Sequence, residues 1–77
     1  MATGKTADVL SKLGDNIKAL RTKKKLSLRQ LAAQCDVDHS DIAKIEKGER
    51  NFTILTLLEL AKGLDVHPRK LLDFDIE

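Results

Sequence analysis

Residues 27–47 constrain the fold most, because they hold two short helical patterns separated by the tripeptide Asp36-Val37-Asp38. Before this turn, apolar residues recur at the i, i+3, i+4 and i+7 positions of one helix face, at Leu28, Leu31, Ala32 and Cys35. After it, Ile42 and Ile45 supply the buried side of a second helix that ends near Lys47. The sequence therefore predicts two short helices that meet at a tight turn.

Residues that favour capping stand at the start of both helices. Ser27 is the predicted N-cap of the earlier helix, and Gln30 completes a capping box with it. Asp38 is the predicted N-cap of the later helix, and Asp41 lies in its first turn. We expect both aspartates to accept amide hydrogen bonds there, because negative charge is stabilising at a helix N-terminus.

Helical spacing elsewhere predicts three more helices, so the expected fold is all-α with five helices. The first runs from about residue 7 to the Lys23-Lys24-Lys25 cluster, although Gly14 leaves open a start near Leu13. Thr53 is the predicted N-cap of the fourth, whose buried face is expected to hold Ile54, Leu57, Leu58, Ala61 and Leu64. Pro68 predicts the start of a short fifth helix through Leu71 and Leu72.

The composition bounds the class of protein. A chain of 77 residues holds one small domain, expected at residues 7–77 after a disordered tail at residues 1–6. Cys35 is the only cysteine and lies on an apolar face, which predicts a core residue and excludes a disulfide framework. No nucleophile has a base at recognisable spacing, and two histidines and one cysteine make no metal site, so neither an enzyme nor a cofactor is expected. No apolar run suits a membrane span or a signal peptide, so the default compartment is the cytoplasm.

Charge is segregated along the chain, although the formal net charge is only +2. From Asn16 to Cys35 the charged residues are all cations: Lys18, Arg21, Lys23, Lys24, Lys25 and Arg29. In the helix after the turn, one arc opposite the isoleucines holds His39, Ser40, Ala43, Lys44 and Lys47 and carries no acid. Such an arc suits the major groove of DNA, which the second helix of a helix-turn-helix unit enters.

The segment LSLRQLAAQCDVDHSDIAKIEKGERNFTILTLLELAKGLDV resembles the phage-repressor/Cro-type (Xre) helix-turn-helix domain. Its most specific parts are LRQLA before the turn, I-x-x-I-E-x-G-x-R-N after it, and LAKGLDV. Small stand-alone regulators and the controller proteins of restriction–modification systems are the most similar members. The resemblance implies a five-helix lambda-repressor-like domain, with the helix-turn-helix at residues 27–47 formed by helices 2 and 3. It also implies a transcriptional regulator that binds double-stranded DNA sequence-specifically through a recognition helix at about residues 39–47.

The resemblance further implies roles for individual residues. Base contacts fall on His39, Ser40, Ala43 and Lys44, and phosphate contacts fall on Ser27, Lys47, Arg50 and Asn51. Arg21 and Glu46 match a structural ion pair. Leu28 stands where many members have a phosphate-binding glutamine, so that contact is lost or moves to Arg29. Asp36 stands where many have glycine, and is expected to adopt the left-handed conformation at some cost. A cytosine amine is the alternative partner of Asp41.

Apolar residues beyond the needs of one small bundle predict a surface for a partner. The residues expected there are Leu55, Leu60, Leu71, Phe74 and Ile76. A second copy is the simplest partner, because a two-fold dimer sets two recognition helices about 34 Å apart on a palindromic site. The alternative is an antitoxin or another protein-interaction module with weak or no DNA binding. No small-molecule ligand is expected, since no ligand-binding domain is evident.

Overall fold

The computed structural model describes residues 4–75, which form helices and no strand. The α-helices are α1 (Gly4–Lys23), α2 (Leu28–Ala33), α3 (His39–Glu46) and α4 (Ile54–Leu64), and a 3₁₀ helix, η1, covers Pro68–Leu72. The prediction of five α-helices is therefore wrong at its last element. Pro68 does start a helix there, but its five residues close in the tighter 3₁₀ winding that suits very short segments. None of these helices combines the length and the apolar character needed to cross a membrane.

The first helix begins earlier than the sequence predicted and runs straight through Gly14. Its start at Gly4 means that residues 4–6 of the predicted disordered tail are helical, whereas residues 1–3 lie outside the described residues. Gly14 lies where α1 meets the end of α3: a Cβ atom there would lie 2.6 Å from the carbonyl oxygen of Glu46, and closer still to that of Ile45. Glycine at this position therefore allows the two backbones to approach, and it does not mark the beginning of the helix.

Three of the helices end at a residue in the left-handed conformation. Lys25 (φ 60°), Gly48 (φ 75°) and Asp65 (φ 57°) follow α1, α3 and α4. At the end of α1 the amide of Lys25 donates to Thr22 O at 2.9 Å and the amide of Leu26 donates to Arg21 O at 3.1 Å. This is the Schellman pattern, and the same pair of bonds recurs at the other two ends. The prediction that Gly48 ends the helix after the turn is confirmed.

The core is aliphatic and takes one face from each element. Its buried members are Leu13, Ile17, Leu31, Ile42, Ile45, Leu57, Leu60, Ala61, Leu64 and Leu71. Cys35 packs against them, as predicted, and burial raises the pKa of its thiol. α1 packs on α3 and η1, while α2 packs on α3 and α4. These contacts hold α3 between α1 and α2, with one side left at the surface.

The buried face of α4 differs from the predicted one. Leu57, Leu60, Ala61 and Leu64 are buried, whereas Ile54 is 64% exposed and Leu58 is 43% exposed. The observed stripe keeps the i, i+3, i+4, i+7 spacing but starts at Leu57. Because seven of the eleven residues of this helix are apolar, its sequence fits more than one apolar stripe, and packing against α2 and η1 selects the buried face.

Candidate nucleic-acid interface

α2, the turn and α3 form a helix-turn-helix unit that is capped at its start. Gln30 N donates to Ser27 Oγ at 3.0 Å, and Ser27 N donates to Gln30 Oε1 at 2.7 Å, which confirms the predicted capping box. Val37 of the turn packs against the core. The turn is also held from α4, because Glu59 Oε1 accepts a hydrogen bond from Asp36 N at 2.9 Å. The two helices are thus fixed at a defined angle.

Asp36 does not adopt the left-handed conformation that was expected for it. The non-glycine residues with positive φ in the described part of the chain are Lys25 and Asp65. The turn therefore needs no glycine at this position. The carboxylate of Glu59 on α4, 23 residues later in the chain, accepts a hydrogen bond from the amide of Asp36 and helps to fix the turn. The expected cost of a left-handed aspartate is absent here.

α3 divides into a buried and an outward side, as its sequence predicted. Ile42 and Ile45 are 0% and 2% exposed. On the outward side, Ser40, Lys44 and Lys47 are exposed, while His39 and Ala43 are partly exposed. We call His39, Ser40, Ala43 and Lys44 the recognition surface. No other element of the described chain covers it, so it is free to meet a partner.

A buried ion pair holds the end of α3 to α1. Arg21 Nε donates to Glu46 Oε2 at 2.7 Å and Arg21 Nη2 donates to Glu46 Oε1 at 2.9 Å. The hydrogen bond to Glu46 raises the pKa of Arg21, so the guanidinium stays charged. Arg21 Nη1 also donates to Leu26 O at 2.8 Å, which joins the same arginine to the segment before α2. One side chain therefore ties α1 to both helices of the unit, and the predicted structural pair is confirmed.

Asp38 is the N-cap residue of α3, as predicted, and its backbone has the extended conformation of an N-cap, but the hydrogen bonding predicted for its side chain is wrong. Its side chain makes no capping hydrogen bond to an amide of α3. The carboxylate instead accepts a hydrogen bond from the hydroxyl of Ser40, and this bond lowers the pKa of Asp38. The physical reason is competition, because the hydroxyl of Ser40 offers the carboxylate a donor that can rotate toward it. Thr53, in contrast, caps α4 as predicted, with Thr56 N donating to its hydroxyl at 3.2 Å.

Asp41 also has a partner that sequence patterns did not indicate. Its Oδ1 lies 3.0 Å from Nη1 of Arg50, a residue in the loop after α3. Arg50 was predicted to contact phosphate as a loop cation, but here its charge is paired with a carboxylate of α3. The signal was hidden because residues nine apart meet only when the chain reverses after Gly48.

Other predicted phosphate-binding residues lie at the surface near the two ends of the unit. Ser27 and Arg29 are exposed at the start of α2, and Lys47 and Asn51 are exposed after α3. A concave surface brings part of this region together, and its lining residues include Lys18 of α1, Leu28 of α2, Ala43 of α3 and Lys47 directly after α3. In the sequence, Lys18 is part of a run of cations. Its position one helical turn before Arg21 is the signal that could have placed it beside α3.

The predicted partner surface is only partly present. Leu60 and Leu71 are each 0% exposed, so assigning them to a partner surface is wrong; both belong to the core. Leu55 is 70% exposed, and Phe74 is half-buried against the core. Ile76 lies outside the described residues. Among the described residues, the large apolar side chains at the surface are Ile54, Leu55 and Leu58 of α4 and Leu72 of η1.

A comparison with protein families agrees with this geometry. The family model described as helix-turn-helix (HTH_3) matches residues 17–71, a span that contains α2, the turn, α3, α4 and most of η1. The chain belongs to this helix-turn-helix family.

Within the family, the chain is similar to control proteins. It is 36% identical over 62 residues to control protein C.BamHI of Bacillus amyloliquefaciens, an alignment covering 79% of this chain and 76% of that protein. Among solved structures, the restriction-modification controller protein C.AhdI of Aeromonas hydrophila has a TM-score of 0.78 at 40% identity, covering 80% of this chain and 94% of that one. The controller protein C.Esp1396I, solved as a tetramer in complex with its natural 35 base-pair operator, has a TM-score of 0.78 at 34% identity. That match covers 84% of this chain and 86% of the C.Esp1396I chain.

Proposed function

We propose that this protein is a transcriptional regulator that binds double-stranded DNA sequence-specifically, with α3 in the major groove. The observation that carries the proposal is the recognition surface, which is polar and outward while the other side of the same helix is buried. A recognition helix needs a defined angle to its scaffold, and the Arg21–Glu46 pair supplies a rigid connection. The similarity to controller proteins, one of them solved on its operator, supports the same function. A regulator acts where the DNA is, so the cytoplasm stays the proposed compartment.

The recognition surface is proposed to read bases. Lys44 is exposed at the middle of the outward side of α3, so it can reach a guanine edge, and Ala43 beside it can contact a thymine methyl group. The hydroxyl of Ser40 donates a hydrogen bond to Asp38, which leaves the hydroxyl oxygen of Ser40 as an acceptor for a base amine. His39 lies at the first position of the helix, with Nδ1 at 3.6 Å from Asp38.

Phosphate contacts are proposed for the ends of the unit. Ser27 and Arg29 lie at the start of α2, while Lys47, Arg50 and Asn51 follow α3. Contacts at two separate points along the backbone would fix the register of α3 in the groove, since phosphate contacts position a protein without reading sequence.

We propose that the protein acts as a homodimer through the apolar residues of α4. Ile54, Leu55 and Leu58 present three large side chains to solvent, which is costly unless a partner covers them. Leu72 of η1 is 49% exposed as well, and Phe74 packs against the core. A two-fold dimer would fit a palindromic operator whose half-sites lie about one DNA turn apart.

Selection of bound duplexes from a random pool tests the proposal directly. We expect a palindromic site, and an affinity for it whose logarithm falls with the logarithm of salt concentration at a slope of about −5 per subunit. Lys44→Ala should cost about 1–3 kcal/mol on the selected site and relax preference at one base pair per half-site. Lys62→Ala is the matched control, because it removes one exposed cation from α4.

Two outcomes would contradict the proposal. If no duplex is enriched and binding has no salt dependence, the exposed apolar residues of α4 favour a protein-interaction module such as an antitoxin. If Lys44→Ala weakens every sequence to the same extent, Lys44 contacts phosphate and the base-reading assignment is wrong.

A further inference from the structure

Arg50 and Asp41 form an ion pair that joins the loop after α3 to the recognition helix. Arg50 Nη1 lies 3.0 Å from Asp41 Oδ1, and the two side chains are 40% and 43% exposed. Ion pairs this exposed contribute little to stability, because water screens the attraction and ordering two long side chains costs entropy. The buried Arg21–Glu46 pair already connects α3 to the rest of the fold. Holding the fold together therefore does not account for the Asp41–Arg50 pair.

The backbone around Arg50 is anchored on both sides. The amide of Glu49 donates to Lys44 O at 3.0 Å, and Thr53 starts α4 as its N-cap. Asp41 then fixes the far end of the arginine side chain. The pair engages Nη1, and because a guanidinium has five N–H donors, others remain that can face an acceptor outside the protein.

We infer that Asp41 is a positioning residue for Arg50 that makes DNA binding more selective. The inference rests on the proposed function and adds a role that recognition by base contact does not require. An unpaired arginine is a cation that binds any nearby phosphate, and this contribution does not depend on sequence. Pairing with Asp41 offsets that charge and restricts the directions from which Arg50 can meet an acceptor. The ion pair therefore lowers affinity for unrelated DNA more than affinity for the operator. On the operator, base contacts fix the position of the DNA backbone, so a phosphate can lie where the restrained Arg50 reaches it.

Asp41→Asn tests this by removing the charge while keeping the shape of the side chain. Without Asp41, the arginine is free to make one added phosphate contact. Each added contact steepens the slope of log affinity against log salt by about 0.9, and at ~0.1 M salt this corresponds to an increase in affinity of about eightfold. We therefore expect affinity for an unrelated duplex to rise by up to about eightfold, with a smaller rise for the selected site. The ratio of the two affinities should fall. Asp41→Glu keeps the charge and should keep most of the wild-type ratio of operator affinity to unrelated-duplex affinity. If Asp41 has a purely structural role, Asp41→Asn should leave this ratio unchanged.

Removing any carboxylate near DNA also weakens repulsion of phosphate, so two comparisons separate the effects. Glu49→Gln removes an exposed carboxylate from the loop that carries Arg50, so it measures the effect on affinity of removing a nearby negative charge. Asp41→Asn combined with Arg50→Ala should have no effect on the affinity ratio beyond that of Arg50→Ala alone. Melting temperatures of all variants, measured beside the affinities, should stay within a few degrees of the wild-type value.

The outcomes distinguish the inference from the proposed function. If Asp41→Asn changes affinity equally with and without Arg50, only repulsion was removed and the inference is wrong. If it loses affinity solely for sites with cytosine at one position, Asp41 contacts a base and the inference is also wrong. Wild-type protein that binds no duplex would overturn the proposed function, and the inference with it.

Discussion

Replacing Gly14 by alanine tests how α3 is held against α1. Two effects of known size oppose each other at this position. Alanine is favoured over glycine inside a helix by about 1 kcal/mol. The added Cβ atom, however, would lie 2.6 Å from the carbonyl oxygen of Glu46, and closer to that of Ile45. Both are backbone atoms, so no side chain can rotate away to relieve the contact.

The magnitude follows from the separation that is needed. An ordinary carbon contact begins near 3.5 Å, so α1 and α3 would have to move apart by about 1 Å. Overpacking of this kind costs about 1–3 kcal/mol. After the helix-propensity gain, we expect Gly14→Ala to lower the free energy of unfolding by up to about 2 kcal/mol and Tm by up to about 15 °C. Affinity for the operator should fall as well, because the displaced helix carries the recognition surface.

Urea and thermal denaturation followed by circular dichroism measure the stability change. Ala19→Gly, at an exposed position of the same helix, is the control that measures the propensity effect alone, with the opposite sign. If Gly14→Ala is more stable than the wild type by the propensity difference, the two backbones are not in close contact and the packing described for α1 and α3 is wrong.

Three further substitutions test the buried ion pair and two helix ends. Glu46→Gln leaves the buried guanidinium of Arg21 without its carboxylate, so we expect a loss of about 3–5 kcal/mol in urea denaturation; a loss below about 0.5 kcal/mol would mean that the pair is not buried in solution. Lys25→Gly relieves a left-handed conformation that costs other residues about 1–2 kcal/mol, and glycine's greater unfolded-state entropy offsets part of the gain. The free energy of unfolding of Lys25→Gly should therefore rise by about 0.5–1 kcal/mol. Asp65→Gly should gain less, because aspartate tolerates the left-handed conformation better. If Lys25→Gly is less stable than the wild type, the left-handed helix end at Lys25 is wrong.

Predictions that depend on neighbouring residues in the chain were the most successful. The two short helices, the capping box of Ser27 and Gln30, the cap at Thr53 and the helix end at Gly48 all agree with the structure. Each involves groups within about one helical turn of each other, so the identity of a few residues decides the outcome. The inward direction of Ile42 and Ile45 follows from the same local periodicity.

Local patterns failed where two arrangements were both possible. Asp38 has the backbone of a cap but binds the hydroxyl of Ser40. α4 is apolar on several sides, so its sequence could not decide whether Leu60 or Leu58 faces inward. Gly14 suggested a later start for α1, because the sequence around it does not show that α3, which begins 25 residues later, packs closely against this position.

The amino-acid sequence by itself determined the helical class, the position of the turn and the outward polar side of α3. The tertiary structure decided which carboxylates serve the backbone and which serve another side chain, as the Asp41–Arg50 and Glu59–Asp36 contacts illustrate. It also decided which apolar residues of α4 remain at the surface for a partner. Helical period and capping act over one turn of chain. The Glu59–Asp36 contact, in contrast, arises only after α4 has packed against the helix-turn-helix unit, and the Asp41–Arg50 contact arises only after the chain has reversed beyond Gly48.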